Sequence, residues 1–263
     1  MWAGRDSLAD MKAMGAHCGQ LGIAGDYDLA DAAKHWAADL ERERFTLVTA
    51  FCAYIGEDYA DIPTVERTVG FIPESTRSLR EDRTLAVADF AAAIGVKSVA
   101  CHVGFVPEDK SDANYIAVRE LVRRVCDHCA KHAQSFVLET GQEPAATLLE
   151  FFKDVNRPNL GINFDPANMI LYGTGDPIEA LGVLGNHVMS VHAKDGDWPP
   201  TDKPGALGTE RPLGQGAVGM PRFVAKLKEI GFRGPLNVER EVENQEQRLA
   251  DMTMGVRLLN SLI

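Results

Sequence analysis

The segment LGINFDPAN, residues 160–168, shows the pattern from which the fold can be worked out. Its apolar residues Leu160, Ile162 and Phe164 alternate with small or polar ones, which predicts a β-strand. The strand should end at the proline that follows Asp165, because proline has no backbone N–H to donate. A carboxylate therefore stands at the end of a largely apolar strand, where its burial would be costly without a partner.

The rest of the chain repeats this unit, a short apolar strand followed by an amphipathic helix. Strands are predicted at residues 18–25, 45–56, 96–104, 135–141, 160–165, 187–196 and 235–241. Helices are predicted at residues 28–43, 75–95, 112–133, 143–155, 176–184, 219–231 and 243–262. This alternation predicts a parallel sheet with crossover helices. No Gly-x-Gly-x-x-Gly motif follows the first strand, so a (β/α)8 TIM barrel is favoured over an open nucleotide-binding sheet. No linker interrupts the pattern, and we expect one barrel domain over residues 1–263.

The predicted strands are one fewer than a complete barrel requires. Residues 6–14 have the pattern of a capped helix with no strand before it. Either the first strand is missing from this chain, or residues 1–5 supply a stub of it. A missing strand would leave an open sheet edge, which would favour association with a second copy of the chain.

Composition restricts the classes of partner. The 263 residues are 45% hydrophobic and 25% charged, as in ordinary globular proteins, and the net charge is -11. This acidic balance argues against nucleic acid as a partner. Neither a long apolar run nor a signal-peptide pattern is found, so we expect a cytoplasmic protein without membrane contact. The five cysteines are an odd number in mostly apolar segments, and we expect them to be reduced thiols.

Cys126, Cys129 and His132 form a C-x-x-C-x-x-H motif whose spacing places all three on one face of a helix. A structural zinc site would normally need a second pair of ligands at similar spacing, and the sequence lacks one. A packed helix face is therefore the preferred interpretation of this motif.

Four predicted strands end on an ionisable residue, and these are Glu139, Asp165, His192 and Glu239. Barrel active sites are built at the C-terminal ends of strands. In each strand the bulky apolar residues share one parity and should face the helices, while the ionisable residue has the opposite parity and should face the barrel interior. The residues expected to face the helices are Phe136, Leu138, Leu160, Ile162, Phe164, Met189, Val191, Leu236 and Val238. His102 follows the same rule and should face inward.

Four such groups at one level of a barrel would be costly to bury unless a cation neutralised them. Three carboxylates and one imidazole form an oxygen-rich set of ligands. This set suits one divalent ion of Mn, Mg, Co or Fe(II), with Zn as a further candidate. The sequence therefore predicts a metal centre.

The motifs LETGQE, GINFDPANMILYGTGDP, VHAKDG, PLGQG and GPLNVERE follow one another between residues 138 and 241. Together they resemble the sugar phosphate isomerase/epimerase superfamily of xylose isomerase-like barrels, and the resemblance runs from about residue 18 to the C-terminus. It implies the barrel fold and a metal bound by the four strand-end residues named above. It also implies that Glu139 and Glu239 lie on opposite faces of a sugar or keto-polyol, phosphorylated or not. One glutamate would remove a proton beside the carbonyl to give an enediolate, and the other would return it.

The sequence departs from the family at two positions. Many family epimerases and the related endonucleases have a histidine where this chain has Asn168. The endonucleases have a further histidine where this chain has Trp198. These replacements, with the acidic charge, argue against a DNA-repair enzyme. Family members also begin with a strand that ends in polar residues, which this sequence does not show.

Three further residues are candidates for substrate binding, and each has an alternative role. His102 could donate a hydrogen bond to a substrate oxygen or could be a core histidine. Asn168 could contact substrate or orient Asp165. Lys194 could stabilise an enolate oxygen or bind an anionic group of the substrate, or it could form a salt bridge with Asp195.

Two other functions remain open from the sequence. The same metal site could serve a dehydratase of the inosose or dehydroshikimate type, in which loss of a β-hydroxyl follows proton abstraction. It could also belong to a non-catalytic metal-binding scaffold.

Overall fold

The computed structural model describes residues 1–263 and contains a nearly closed barrel of seven parallel strands. In barrel order the strands are β1 (Cys18–Ile23), β2 (Thr46–Cys52), β3 (Ser98–Cys101), β4 (Ser135–Glu139), β5 (Leu160–Phe164), β6 (Val188–Ala193) and β9 (Leu236–Val238). Two short strands, β7 (Asp195–Asp197) and β8 (Thr209–Arg211), form a separate antiparallel pair in the loop that follows β6. The predicted barrel architecture is confirmed, and the alternation of strand and helix explains it.

Helices cover the outside of the barrel or connect its strands. They are α1 (Leu8–Ala13), α2 (Ala32–Glu43), α3 (Ile62–Thr68), α4 (Glu74–Ala93), α5 (Ala113–Lys131), α6 (Ala145–Val155), α7 (Pro166–Tyr172), α8 (Pro177–Leu184), α9 (Met220–Glu229) and α10 (Gln245–Leu262). None of them combines the length and the apolar character that crossing a bilayer requires.

The sheet is open between β1 and β9. Of the two alternatives for the N-terminus, the structure supports the stub, because Trp2 forms an isolated parallel bridge with Gly22. Two backbone hydrogen bonds of 2.8 Å hold it, from Gly22 N to Met1 O and from Ala3 N to Gly22 O. Beside the stub, a cavity of about 350 Å³ with largely apolar walls extends from the N-terminal end of the barrel strands to Glu239.

The parity rule holds for most of the strand residues. Phe136, Leu138, Ile162 and Phe164 are fully or almost fully buried in the main hydrophobic core. The prediction is wrong for Met189, which is 42% exposed. The register of β5 and β6 shifts at this point, so Met189 lies in a bulge and is not aligned with the regular outward-facing row.

The helices α3 and α7 and the strand β8 were not predicted. Helix α7 directly follows β5, and Asp165 is its N-cap. Its side chain accepts a hydrogen bond of 2.9 Å from the backbone of Asn168, and Pro166 occupies the first turn, where no N–H is needed. Asp-Pro is typical of the start of a helix as well as of the end of a strand, and here it serves as both.

Candidate metal centre and active site

Four strand-end residues converge at the C-terminal end of the barrel. Glu139 ends β4, Asp165 directly follows β5, His192 is the penultimate residue of β6, and Glu239 directly follows β9. One ligand atom from each lies within 4.8 Å of the others. The structure therefore brings together the four residues that the sequence singled out.

Three carboxylates surround Nδ1 of His192. Glu139 Oε1 and Glu239 Oε2 each lie 3.1 Å from it, and Asp165 Oδ2 lies 3.8 Å away. Burial acts to lower the pKa of His192, but the charges of Glu139 and Glu239 raise it well above its usual value. Without a bound cation the ring would be an imidazolium, with its Nδ1 proton directed at the carboxylates.

The opposite ring nitrogen of His192 has a defined partner. Its Nε2–H donates to Gln20 Oε1 at 2.9 Å. Gln20 in turn donates from Nε2 to Asn163 Oδ1 at 2.9 Å and to Ser190 Oγ at 2.7 Å. This buried network fixes the orientation of the imidazole and leaves Nδ1 directed at the cluster. Gln20 was not predicted as a site residue, although its parity on β1, opposite to that of the apolar Leu21, indicates that it faces the barrel interior.

Two asparagines hold the carboxylate of Glu139. Asn163 Nδ2 donates to Oε2 and Asn168 Nδ2 donates to Oε1, each at 3.0 Å. Burial acts to raise the pKa of Glu139, but the charges of His192 and His102 lower it below its ordinary value. Glu139 is therefore an ionised carboxylate in a fixed orientation.

Two oxygen atoms in the cluster are buried without a hydrogen-bond partner, Asp165 Oδ2 and Glu239 Oε2. Glu239 Oε2 lies 3.1 Å from His192 Nδ1 and 3.2 Å from Lys194 Nζ, but neither contact has hydrogen-bond geometry. Burial raises the pKa of Asp165 to about 6, against the opposing charge of Lys194. Such oxygens are costly unless something satisfies them. A divalent cation would do so, and the mainly oxygen ligands fit Mg, Mn, Co or Fe(II).

Lys194 is buried beside the cluster, and its partners differ from the predicted one. Its Nζ donates to Glu241 Oε2 at 2.7 Å and lies 4.0 Å from Asp165 Oδ2. Burial acts to lower its pKa, but Glu239, Glu241 and Asp165 raise it well above its usual value. The proposed salt bridge to Asp195 does not form, because Asp195 instead accepts backbone hydrogen bonds from the loop after β6.

Asn168 and His102 differ in their distance from the cluster. Asn168 contacts Glu139 directly, and its Oδ1 lies 3.5 Å from Lys194 Nζ. His102 is separated from His192 by the ring of Phe51, whose centroid lies 5.4 Å from His102 and 6.1 Å from His192. The ring of Tyr59 packs on His102 at 5.6 Å. His102 therefore belongs to an aromatic wall of the mouth of the barrel and not to the cluster itself.

Comparison with known proteins places this architecture in context. Residues 8–262 match the family described as "Xylose isomerase-like TIM barrel". A solved structure, a xylose isomerase domain protein from Planctomyces limnophilus, is 40% identical, with a TM-score of 0.95 over 99% of this chain and 94% of that chain. An uncharacterized protein of Methanocaldococcus jannaschii is 29% identical over 155 residues, which is 54% of this chain and 50% of the relative's length.

More distant structures share the fold. A D-tagatose 3-epimerase-like protein superposes with a TM-score of 0.73 at 18% identity, over 97% of this chain and 93% of that one. A probable 3-DHS dehydratase from Bacillus anthracis superposes with a TM-score of 0.70 at 16% identity, over 97% and 95%. At these identities the similarity concerns the fold alone. The family match covers residues 8–262, nearly the whole chain, and the chain therefore belongs to the xylose isomerase-like TIM barrel family.

Proposed function

We propose that the protein is a divalent-metal-dependent isomerase or epimerase that acts on a sugar or a keto-polyol through an enediolate. The observation that carries the proposal is the convergence of Glu139, Asp165, His192 and Glu239 within 4.8 Å, with two buried carboxylate oxygens that lack hydrogen-bond donors. These four residues would hold the metal. When bound, a divalent cation supplies Lewis acidity that makes the hydrogen beside a carbonyl acidic.

Glu139 and Glu239 are the proposed acid and base. Glu139 ends β4 and Glu239 directly follows β9, and an oxygen of each lies 3.1 Å from His192 Nδ1. Burial acts to raise the pKa of both carboxyls, but the charge of His192 holds each below its ordinary value. Both are therefore ionised. One can accept the proton from the carbon beside the carbonyl, and the other, after taking up a proton from solvent, can deliver that proton to the same carbon.

Asn168, Lys194 and His102 are proposed to bind substrate. Asn168 has its amide on Glu139 and its carbonyl oxygen toward Lys194, so it can position the base relative to a substrate oxygen. The Lys194 ammonium lies beside the cluster and would stabilise negative charge that develops on an enolate oxygen. His102 would offer a hydrogen bond from the aromatic wall.

The dehydratase alternative needs a proton donor for the departing hydroxyl. Lys194 is the charged donor next to the cluster, and its carboxylate neighbours hold its pKa well above the usual value although burial opposes them. Isomerisation and epimerisation have no departing hydroxyl and need no such donor, so the mass of the product separates them from dehydration.

The test combines metal analysis with solvent exchange. Purified protein is assayed for bound metal and incubated in D₂O with free and phosphorylated ketoses and inososes. We expect deuterium to enter the carbon beside the carbonyl. Exchange should fall at least about 10²-fold in Glu139→Gln, as expected for a lost general base. Glu66→Gln, which changes an exposed glutamate, is the matched control and should retain full exchange.

Each outcome assigns the function. Exchange with product of unchanged mass supports isomerisation or epimerisation, and loss of water identifies the dehydratase. Stoichiometric metal without exchange on any ketone would contradict the enzyme proposal and would favour a metal-binding scaffold. Absence of tight metal binding would contradict the proposed centre itself.

A further inference from the structure

A second cluster of nitrogen and oxygen ligands lies on the outside of the barrel. His128 and His132 belong to α5 and its C-cap, and Asp89 belongs to α4. Because each of these helices precedes a barrel strand and runs antiparallel to it, their C-terminal ends lie at the end of the barrel opposite the metal centre. The cluster is therefore separate from the catalytic groups proposed above.

The geometry of this cluster is convergent. His128 Nε2 lies 2.7 Å and His132 Nε2 lies 2.9 Å from the same oxygen, Asp89 Oδ1. Each ring nitrogen can donate one hydrogen bond to that oxygen. The two rings meet edge to face with centroids 5.5 Å apart, as the i, i+4 spacing dictates. Ligand atoms of all three residues lie within 4.8 Å of one another.

We propose that Asp89, His128 and His132 form a second metal site that takes a borderline d-block cation, with Zn²⁺ as its reference ion. Two imidazoles four residues apart on one helical face are an established zinc-binding arrangement, and a carboxylate is the usual third protein ligand in such sites. With two nitrogens and one oxygen, the site favours Zn, Ni or Cu over Mg or Mn.

Little movement is needed to fit the ion. Ligand atoms about 2.1 Å from a tetrahedral metal stand about 3.4 Å apart. The present nitrogen-to-oxygen distances of 2.7 and 2.9 Å would have to increase by about 0.7 and about 0.5 Å. The side chains of Asp89 and His132 are 57% and 35% exposed, so rotation about their χ angles can provide this opening, and water can complete the coordination.

The proposed site also gives a role to His132, the one residue of the C-x-x-C-x-x-H motif that does not pack in the core. Cys126 and Cys129 are completely buried and belong to the packed face of α5, as the preferred interpretation predicts. His132 leaves that face and meets Asp89 of the neighbouring helix. A bound ion would cross-link the ends of α4 and α5 and stabilise the barrel at the end away from its chemistry.

The experiment measures zinc binding by the full chain, with any affinity tag removed. Equilibrium dialysis with metal analysis gives the number of tight sites and their affinities. We expect the natural protein to have one more tight Zn²⁺ site than His132→Asn or Asp89→Asn. In each variant the affinity of the outer site for Zn²⁺ should be at least about tenfold lower than in the natural protein. His35→Asn, which removes an exposed histidine whose side chain forms no hydrogen bond, should bind zinc as the natural protein does.

Thermal unfolding separates this site from the metal centre. Zn²⁺ should raise the midpoint of Asp165→Asn, which retains the outer site, by more than that of an Asp165→Asn/His132→Asn double variant. Each midpoint shift is measured against the same variant without zinc, so a fold weakened by the substitution does not obscure the result. Equal zinc binding in all variants, or equal midpoint shifts with and without His132, would overturn the proposal.

Discussion

Replacing Glu143 by glutamine should change how the stability of the protein depends on pH. Glu143 is 4% exposed, in the loop after β4. Its Oε1 accepts a hydrogen bond of 2.9 Å from Val106 N, and its Oε2 is buried without a partner. Burial raises the pKa of this carboxyl from 4.5 to about 8. The folded protein therefore holds a proton that the unfolded chain releases.

The sign and size of the effect follow from linkage. Between pH 4.5 and about 8 the folded state binds more protons at Glu143 than the unfolded state does, so stability falls as pH rises through this window. With these two pKa values, the loss between pH 5.5 and pH 9 is about 3 kcal/mol. Glutamine keeps an acceptor for Val106 N but has no ionisable proton, so Glu143→Gln should not suffer this loss.

The assay is urea unfolding of both proteins at pH 5.5, 7 and 9. The quantity of interest is the change with pH in the difference between their free energies of unfolding, because other titrating groups contribute equally to both. Glu108→Gln, which changes an exposed glutamate in the loop that contains Val106, should follow the natural protein. Parallel curves for Glu143→Gln and the natural protein would refute the conclusion that Glu143 is buried in its protonated form.

Three further substitutions test other parts of the structure. Gln20→Leu removes the hydrogen-bond acceptor for the imidazole of His192, and we expect the affinity for divalent metal, measured by equilibrium dialysis, to fall about 10–100-fold. An unchanged affinity would show that the hydrogen bonds of Gln20 do not orient this imidazole for metal binding. Gly70→Ala should cost at least about 2 kcal/mol in urea unfolding. Gly70 has a φ of +67°, and an added Cβ would lie 2.1 Å from Val103 O. Gly56→Ala is its control, since no atom lies within 4 Å there, and an equal cost in both would show that the close approach is unimportant. Phe164→Ala should cost about 3–5 kcal/mol, because this ring is fully buried, and a cost below 1 kcal/mol would contradict its place in the core.

The inward orientation of the ionisable residues at the strand ends was predictable, because it depends on the alternation of side chains along each strand. Period-two alternation placed Glu139 and Asp165 on the inward side of their strands, and parallel strands deliver their C-terminal residues to one end of a barrel. The same rule applied to β1 would have found Gln20. Met189 shows its limit, since a bulge in the register of two paired strands cannot be read from either strand alone.

Partner choice among the buried polar groups was not predictable. Lys194 pairs with Glu241, 47 residues further along the chain, and not with the adjacent Asp195. Asp195 has a different role because three backbone N–H groups of its own strand and of the following loop converge on it. Such choices depend on how loops return to the barrel, which neither spacing nor parity encodes.

The open seam of the barrel gives the proposed metal centre a mechanical role. Glu139, Asp165 and His192 belong to the consecutive strands β4, β5 and β6, whereas Glu239 follows β9, a three-residue strand paired only with β6. An ion bound by all four residues would link the edge strand β9 to the central strands of the sheet. Without the ion, local unfolding would begin at β9. With the ion bound, backbone amides beside the opening between β1 and β9 would exchange with solvent more slowly.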